Sequence, residues 1–358
     1  MNNKAVIAMS GGVDSSVAAY LMKQRGFDCI GVTMKLFANE DIGISREHSC
    51  CSLDDVEDAR SVAYSLDMPY YVFNFSDRFE TDVIDRFIHA YENGITPNPC
   101  IDCNRYLKFD KLYMRAKELD RDYVVTGHYA RVEKDENGRF LLKKALDNTK
   151  DQSYVLYCLT QEQLHHTIFP LGEMRKSQAR EIAESQGFIN ARKADSQDIC
   201  FVQNGSYADF IEQFTGKNYP DGDFLDTNGN VIGRHKGVIR YTVGQRKGLG
   251  ISAPEPLYVK AVNPVSNTVT LSYNDGLYSS IVKAGDINLI SVPEIKGEMR
   301  VKAKVRYRHT EQWATVTQNS DTITAVFDEP QRAVTCGQAL VLYDEDTVVG
   351  GGTIIEVE

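Results

Sequence analysis

The chain of 358 residues is too long for one ordinary core and points to two or three domains. Its composition, 42% hydrophobic and 25% charged, is that of a folded globular protein, and no apolar run approaches the ~18 residues that a membrane span needs. A net charge of −10 argues against a generic polyanion binder, but leaves room for a nucleic-acid partner if the cations are segregated on one face.

The N-terminus, MNNKAVIAMSGG, is a short polar lead into an apolar strand without a signal-peptide cleavage site, so the expected compartment is the cytoplasm. KAVIAM (4–9) reads as a strand, followed by glycines and a helix over 14–25 that Gly26 stops. DCIGVTM (28–34) is a second strand. Ser52 to Asp55 has the spacing of a helix start, leading into VEDARSVAYSL. A strand YYVFNF (70–75), helices near 79–91 and 105–119, and a strand DYVVT (122–126) continue the alternation. Such alternation predicts a parallel sheet with helices on both faces, with ligands at the carboxyl ends of the strands.

Beyond residue 205 short β-like runs separated by Asn-Gly, Gly-Asn and Asp-Gly turns dominate, among them VIRYTVG (238–244), PLYVKAV (256–262), TVTLS (268–272), MRVKAKVRYR (299–308) and ALVLY (339–343). The expected fold class is α/β: an N-terminal doubly wound parallel-sheet domain (1–204), a small β-rich central domain (205–275) and a C-terminal β-barrel-like domain (276–358).

The chemistry starts at SGGVDSS (10–16), between a strand and a helix. Two glycines let the backbone approach an anion, and backbone N–H groups with the helix N-terminus supply positive potential. Ser10, Ser15 and Ser16 add hydroxyls. Asp14 would repel phosphate, unless it holds a magnesium ion that bridges the phosphates. The pattern is neither Walker A nor the dinucleotide GxGxxG. It resembles the PP-loop of ATP pyrophosphatases, which cleave ATP between the α- and β-phosphates and leave an adenylate. That resemblance assigns Ala8, Met9, Ser10, Gly11, Gly12, Val13, Asp14, Ser15 and Ser16 to ATP, with Met34 and Gly127 flanking adenine and ribose.

Eight cysteines, at 29, 50, 51, 100, 103, 158, 200 and 336, are too sparse for a disulfide scaffold. TPNPCIDCNRYLKF (96–109) puts two in a proline-flanked loop before a helix, where the N-terminal dipole favours a thiolate. KADSQDICF (193–201) presents a single one after a polar run. Lone Cys29 and Cys158 read as small buried apolar residues.

Together with CCSLDDVEDAR (50–60), VTGHYAR (125–131), KDQSYVL (150–156), FPLGEMRK (169–176) and YTVGQRKGLG (241–250), these segments resemble the tRNA-specific 2-thiouridylases over nearly the whole chain. The resemblance implies ATP-dependent adenylation of the C2 oxygen of uridine-34 in a tRNA anticodon, followed by sulfur transfer. Cys200 would receive sulfur from a donor protein as a persulfide. Cys103 would reduce or displace it, leaving a Cys103–Cys200 disulfide. The implied cofactors are ATP and Mg2+.

Many members of that family carry Asp at the position of Cys100, leaving its role here to Asp102 or to no residue. Cys100, Cys103 and Cys200 could together hold a [4Fe–4S] cluster with one open iron. The resemblance also implies tRNA contacts for His128, Lys150, Asp151, Gln152, Arg306, Tyr307 and Gln338, with Asn98, Pro99 and Cys100 beside the target base.

Cationic faces exist in spite of the net charge. Arg300, Lys302, Lys304, Arg306 and Arg308 alternate with apolar residues, and on a strand period two would put all five on one face. The block GRHKGVIRYTVGQRKGLG (233–250) holds five Lys or Arg and no acid. Lys193 and the remaining histidines read as surface or packing residues. The rival readings are a PP-loop amidating or amine-ligating enzyme, which leaves the cysteine pair unexplained, and a nucleotide-binding regulator, which has no need of Asp14.

Overall fold

The structure is a computed structural model that describes residues 1–37, 53–195, 199–202 and 206–358. Cys50, Cys51 and the expected helix start at Ser52 lie outside the described residues. No described helix is long and apolar enough to cross a membrane. The chain divides into two compact units, one of Met1–Val83, Pro99–Gly205 and Asp346–Val348, the other of Ile84–Asn98, Ser206–Glu345 and Val349–Glu358.

The first unit is built on a parallel sheet. Strand β1 (Lys4–Ala8) leads through the phosphate loop into helix α1 (Val13–Gln24), then β2 (Asp28–Lys35), α2 (Leu53–Ser65) and β3 (Tyr70–Asn74). Ala5, Val6 and Ile7 are fully buried, as expected for a central strand covered on both faces. Gly26, with φ of +78°, closes α1 in the left-handed conformation that a helix stop requires.

A short α3 (Ser76–Phe79) runs through a wide π-helical turn (Glu80–Ile84) into α4 (Asp85–Glu92), which is part of the second unit. Pro99 opens the next helix, α5 (Pro99–Asp102), which widens to a π-helical stretch over Cys103–Lys111 and ends as α6 (Leu112–Glu118). Both cysteines of the CIDC segment therefore lie inside the helix and not in a loop before it. Proline suits the first helical position, where no N–H is needed, and this moves the start upstream of the expected one.

Strand β4 (Tyr123–Val125), the hairpin β5 (Arg131–Lys134) and β6 (Phe140–Lys143), α7 (Ser153–Leu156), α8 (Gln161–His165), β7 (Thr167–Ile168) and α9 (Lys176–Ser185) complete the unit. The sheet order is β3-β2-β1-β4-β7, with every pairing parallel. The neighbours of β1 are thus β2 on one side and β4 on the other. Its carboxyl end is the switch point at which open α/β sheets bind ligands.

In the second unit α10 (Tyr207–Thr215) is capped by the Ser206 hydroxyl, which accepts from the Asp209 N–H at 3.2 Å. Strands β8 (Gly222–Leu225), β9 (Val231–His235), β10 (Tyr258–Asn263) and β11 (Thr268–Ser272) form a sheet of order β10-β11-β8-β9 over a core of Phe224, Val238, Val259, Val269 and Leu271. The run 238–244 is not a strand. Val238–Arg240 is a 3-10 turn, bracketed by Gly237 and Gly244 at φ of +95° and +87°, and these left-handed corners break an extended path.

Strands β12 (Tyr278–Leu289), β13 (Glu298–Lys304), β14 (Gln312–Asn319), β15 (Thr322–Arg332), β16 (Ala339–Asp344) and β17 (Thr347–Val357) follow. They close into a barrel in the order β12-β15-β14-β13-β16-β17, with β17 pairing back onto β12. Val301, Ala303 and Val305 point into its core, as the alternation required. Strand β13 ends at Lys304, so Arg306 and Arg308 are not members of its cationic row.

Candidate active site

The loop 9–12 is held open by its neighbours. The Met9 carbonyl accepts from the Thr33 hydroxyl at 2.6 Å, and Tyr70 Oη donates to Thr33 Oγ1 at 2.6 Å. Gly11 has φ of +75°, and a Cβ there would meet the Asp55 carbonyl oxygen at 2.4 Å. Ser15 and Ser16 both donate to the Gly12 carbonyl, at 2.9 and 3.1 Å, and the Ser10 N–H reaches Ser15 Oγ at 3.2 Å. Gly127, just past β4, packs on the first turn of α1, where a Cβ would lie 2.7 Å from both the Asp14 carbonyl carbon and the Ser15 nitrogen. Met34 lies near the carboxyl end of β2. Ala8 through Ser16, Met34 and Gly127 are thus gathered along the carboxyl edge of β1, β2 and β4.

Asp14 is not left facing an anion. Both of its oxygens accept from Lys176 Nζ at 2.7 Å, and Oδ1 accepts from Tyr129 Oη at 2.8 Å. Lys176, at the start of α9 with a side chain only 11% exposed, also meets Asp195 at 2.8 Å. Asp195 receives Lys150 at 2.8 Å and Arg180 at 3.0 Å as well. Burial works to raise the Asp195 pKa, but hydrogen bonds from Lys150 and Lys176 outweigh it and bring it to about 2. Burial and the adjacent Asp14 carboxylate push the Tyr129 hydroxyl the other way, well above its usual range. Three cations and two carboxylates therefore meet beside the loop.

This cluster escaped the sequence reading, since its members are 14, 150, 176, 180 and 195 in the chain. The only signal was that Lys150, Lys176 and Asp195 fall in segments already singled out. Lys193, read as a surface or packing residue, spans Asp55 and Asp58 at 2.6 Å each. Asn190, also missed, is 2% exposed and donates from Nδ2 to the Gly11 carbonyl and to Ser16 Oγ, both at 2.9 Å.

The cysteines differ sharply. Cys100 is exposed, Cys103 is buried and Cys200 is half-buried; the six described cysteines are all thiols. Burial raises the Cys103 pKa, which Lys108 opposes and Asp102 reinforces. The thiolate expected from the helix dipole is not favoured, because desolvation of a buried group outweighs the dipole. Cys200 sits in a tight turn, closed by the Val202 N–H on the Ile199 carbonyl at 3.0 Å. Its neighbour Phe201 is buried edge-on to Phe79 at 5.6 Å. Cys29 and Cys158 are buried with thiols raised to about 11 by desolvation, in keeping with packing roles. Among the described residues no three His, Cys, Asp or Glu side chains come together as a metal site, and Cys100, Cys103 and Cys200 are not such a group.

Of the residues assigned to tRNA, several side chains are engaged internally. His128 is buried between Phe109 and Phe169, its Nδ1 2.7 Å from Thr126 Oγ1, and burial with nearby Lys108 keeps it neutral. Asp151 accepts from the Ala145 N–H at 3.0 Å and from Ser153 Oγ at 2.7 Å, and Gln152 Oε1 accepts from the Tyr129 N–H at 2.9 Å. Pro99 is buried and Asn98 half-buried. Within the second unit Gln338 Nε2 donates to the Thr96 and Pro97 carbonyls at 3.0 and 3.1 Å, mooring the stretch that precedes Asn98. Arg306 donates to the Val243 carbonyl at 2.9 Å and to Thr335 Oγ1, so it braces the fold. Tyr307 is exposed, with Lys304 Nζ 5.8 Å from its ring centre. Lys302 and Arg300 lie over the exposed ring of Trp313, and Arg300 also pairs with Asp328.

Residues 3–204 match the family described as "tRNA methyl transferase HUP domain", 208–273 the "tRNA methyl transferase PRC-barrel domain", and 279–354 the "Aminomethyltransferase beta-barrel domain". The chain is 51% identical over 356 residues to the tRNA-specific 2-thiouridylase MnmA of Clostridioides difficile, covering 99% of this chain and 98% of that one. It is 51% identical over 355 residues to the protein so named from Lachnoclostridium phytofermentans, covering 99% of each. Against the one from Clostridium perfringens it is 48% identical over 352 residues, covering 98% of each. Likeness at this level from end to end leaves no part of the fold unaccounted for, and the chain belongs to the family of the tRNA-specific 2-thiouridylases.

Proposed function

We propose that the chain is a tRNA-uridine 2-sulfurtransferase: it adenylates the C2 oxygen of uridine-34 with ATP and replaces that oxygen with sulfur carried on Cys200. The observation that carries this reading is a folded phosphate loop at the sheet's switch point, in a chain 51% identical along its length to relatives named for that reaction. The matched domain families are described by methyl transfer. A methyl group carried on a sulfonium is already activated, however, and has no use for a loop that opens ATP at its α-phosphate.

In the first half-reaction the C2 oxygen attacks the α-phosphorus, a P–O bond forms, and pyrophosphate leaves. The loop N–H groups and the amino end of α1 hold the phosphates. Lys176, already beside the loop, is placed to take up pyrophosphate charge as ATP draws it from Asp14. Mg2+ would arrive with the phosphates and needs few protein ligands, and Asp14 is the carboxylate available to it.

In the second half-reaction the terminal sulfur of the Cys200 persulfide attacks C2, and AMP departs with the original oxygen. The Cys103 thiolate then attacks Cys200 Sγ. The S–S bond to the base breaks, its electron pair stays with the sulfur on C2, and a Cys103–Cys200 disulfide remains. A persulfide is a better nucleophile than a thiol at neutral pH, and Cys103, held as the thiol by burial, must give up its proton as it attacks. A sulfur-donor protein and tRNA are the partners this scheme requires, and the cytoplasm the expected compartment. A [4Fe–4S] route would need the three thiols as a ligand group, and the described geometry does not bring them together as one.

The test is pyrophosphate release on adding unmodified tRNA, followed by nucleoside analysis. Wild type with a sulfur donor should release pyrophosphate and form 2-thiouridine. Cys200→Ser should bind tRNA and release pyrophosphate but form no thionucleoside. Thiolation by Cys200→Ser, or no tRNA-dependent release by wild type, would sink the assignment.

A further inference from the structure

Asn190 is buried at 2% exposure, yet only half of its amide is used. Nδ2 gives one proton to the Gly11 carbonyl and the other to Ser16 Oγ, each at 2.9 Å, while Oδ1 has no hydrogen-bond partner among the described residues. The amide cannot be turned round, because Oδ1 would then face the Gly11 carbonyl oxygen with no proton between them. A buried acceptor left unpaired destabilises the fold, and a residue kept for packing alone would do better as an apolar one. The turn that carries Asn190 is itself fixed. Phe188 and Ala191 are in the core, Phe188 edge-on to Tyr20 of α1 at 6.5 Å, and Arg180 Nη1 donates to the Ala191 carbonyl at 3.3 Å.

What the two donors achieve follows from the planar trans peptide, in which C=O and N–H point in opposite directions. With the Gly11 carbonyl turned in toward Asn190, the Gly12 N–H points away from it, and no described residue accepts from that N–H. Ser16 Oγ, fully buried, accepts from Asn190 and donates to the Gly12 carbonyl at 3.1 Å. The next peptide is therefore held as well, and its N–H, that of Val13, is turned away from Ser16. A peptide between two glycines has little else to set its direction.

We propose that Asn190 is a positioning residue for the phosphates of ATP: it holds the Gly11 carbonyl directly, and the Gly12 carbonyl through Ser16, on the inner side of the loop, so that two successive N–H groups stand ready for the anion. This rests on the reading of the loop as the ATP site. Donors fixed in advance need no reorganisation when the anion arrives.

The experiment compares ATP with adenosine, which carries the base and ribose but no phosphate. ATP binding with Mg2+ is measured by calorimetry, adenosine binding by displacement of a fluorescent adenosine analogue, and Tm is recorded for each protein. Asn190→Leu removes both donors together with the unpaired acceptor. It should weaken ATP by about 10-fold or more and leave adenosine unchanged, since a hydrogen bond to a charged phosphate is worth about that factor. Asn190→Asp sets a carboxylate against the Gly11 carbonyl and should lose more. Ser16→Ala cuts only the second arm and should show the same split at smaller size, so the outcome does not depend on one variant folding. Equal losses for ATP and adenosine that track a lower Tm would make Asn190 a packing residue and overturn the proposal. So would an ATP affinity equal to that of wild type in both Asn190 variants. If the ATP reading itself is at fault, wild type will bind no ATP, and the proposal falls with it.

Discussion

Replacing Gly127 by alanine tests the packing that brings the end of β4 against the phosphate loop. The added Cβ would stand 2.7 Å from the Asp14 carbonyl carbon and the Ser15 nitrogen, and 2.9 Å from Asp14 Cβ. Two of these three neighbours are helix backbone and cannot rotate aside, so β4 or the first turn of α1 must move. Overpacking of this kind costs about 1–3 kcal/mol. In a unit of this size each kcal/mol lowers Tm by about 2–4 °C, so a fall of roughly 2–12 °C is expected. The same shift displaces the N–H groups that face the phosphates, so ATP affinity should drop with the Tm. Gly187→Ala is the control: φ there is +68° with no atom within 4 Å, so it carries only the left-handed penalty of about 1 kcal/mol and should leave ATP affinity intact. Differential scanning fluorimetry with an ATP titration measures both quantities. A Gly127→Ala protein that melts with wild type and binds ATP as tightly would refute the packing argument.

Two further outcomes follow from charge. Lys302→Ser with Lys304→Ser should flatten the log–log salt dependence of tRNA binding by about 0.7–0.9 for each phosphate that is no longer neutralised, and an unchanged slope would mark β13 as a solvated face. Asp195 has its pKa lowered from 3.8 to about 2, so its ion pairs stabilise the fold above the higher value and that contribution is lost as pH falls through the lower one; at about 1.4 kcal/mol per unit this amounts to about 2 kcal/mol. Asp195→Asn should therefore flatten the acid limb of the stability curve between about pH 4 and 2, and a limb as steep as that of wild type would contradict the geometry.

What could be read from the chain was whatever local pattern decides. KAVIAM, the glycines of SGGVDSS and the stop at Gly26 need only near neighbours to be correct, and they form as expected. The alternation in 299–308 was legible as far as Lys304. Beyond it the strand ends and Arg306 turns inward to Val243 and Thr335, a choice made by residues far away in sequence. VIRYTVG has strand composition, yet two glycines at positive φ set its path. The acidity of Cys103 was misjudged because helix position is visible in a sequence and burial is not.

Asp14 shows the same limit from the functional side. An acid in a phosphate loop looks wrong by itself, and a bound metal was the reading open to a sequence. The fold adds a partner that the sequence hides, Lys176, which is 162 residues away and shared with Asp195. A lysine so placed gains from its carboxylates a fixed position close to the loop while no phosphate is present. The carboxylates also offset the cost of burying its charge, which an unpaired ammonium at 11% exposure would bear in full. The amino end of α1 adds positive potential to the cations held there. They are gathered in a chain whose net charge is −10. A phosphate site does not need a basic protein. It needs cations held where the anion will be, and here acids do the holding.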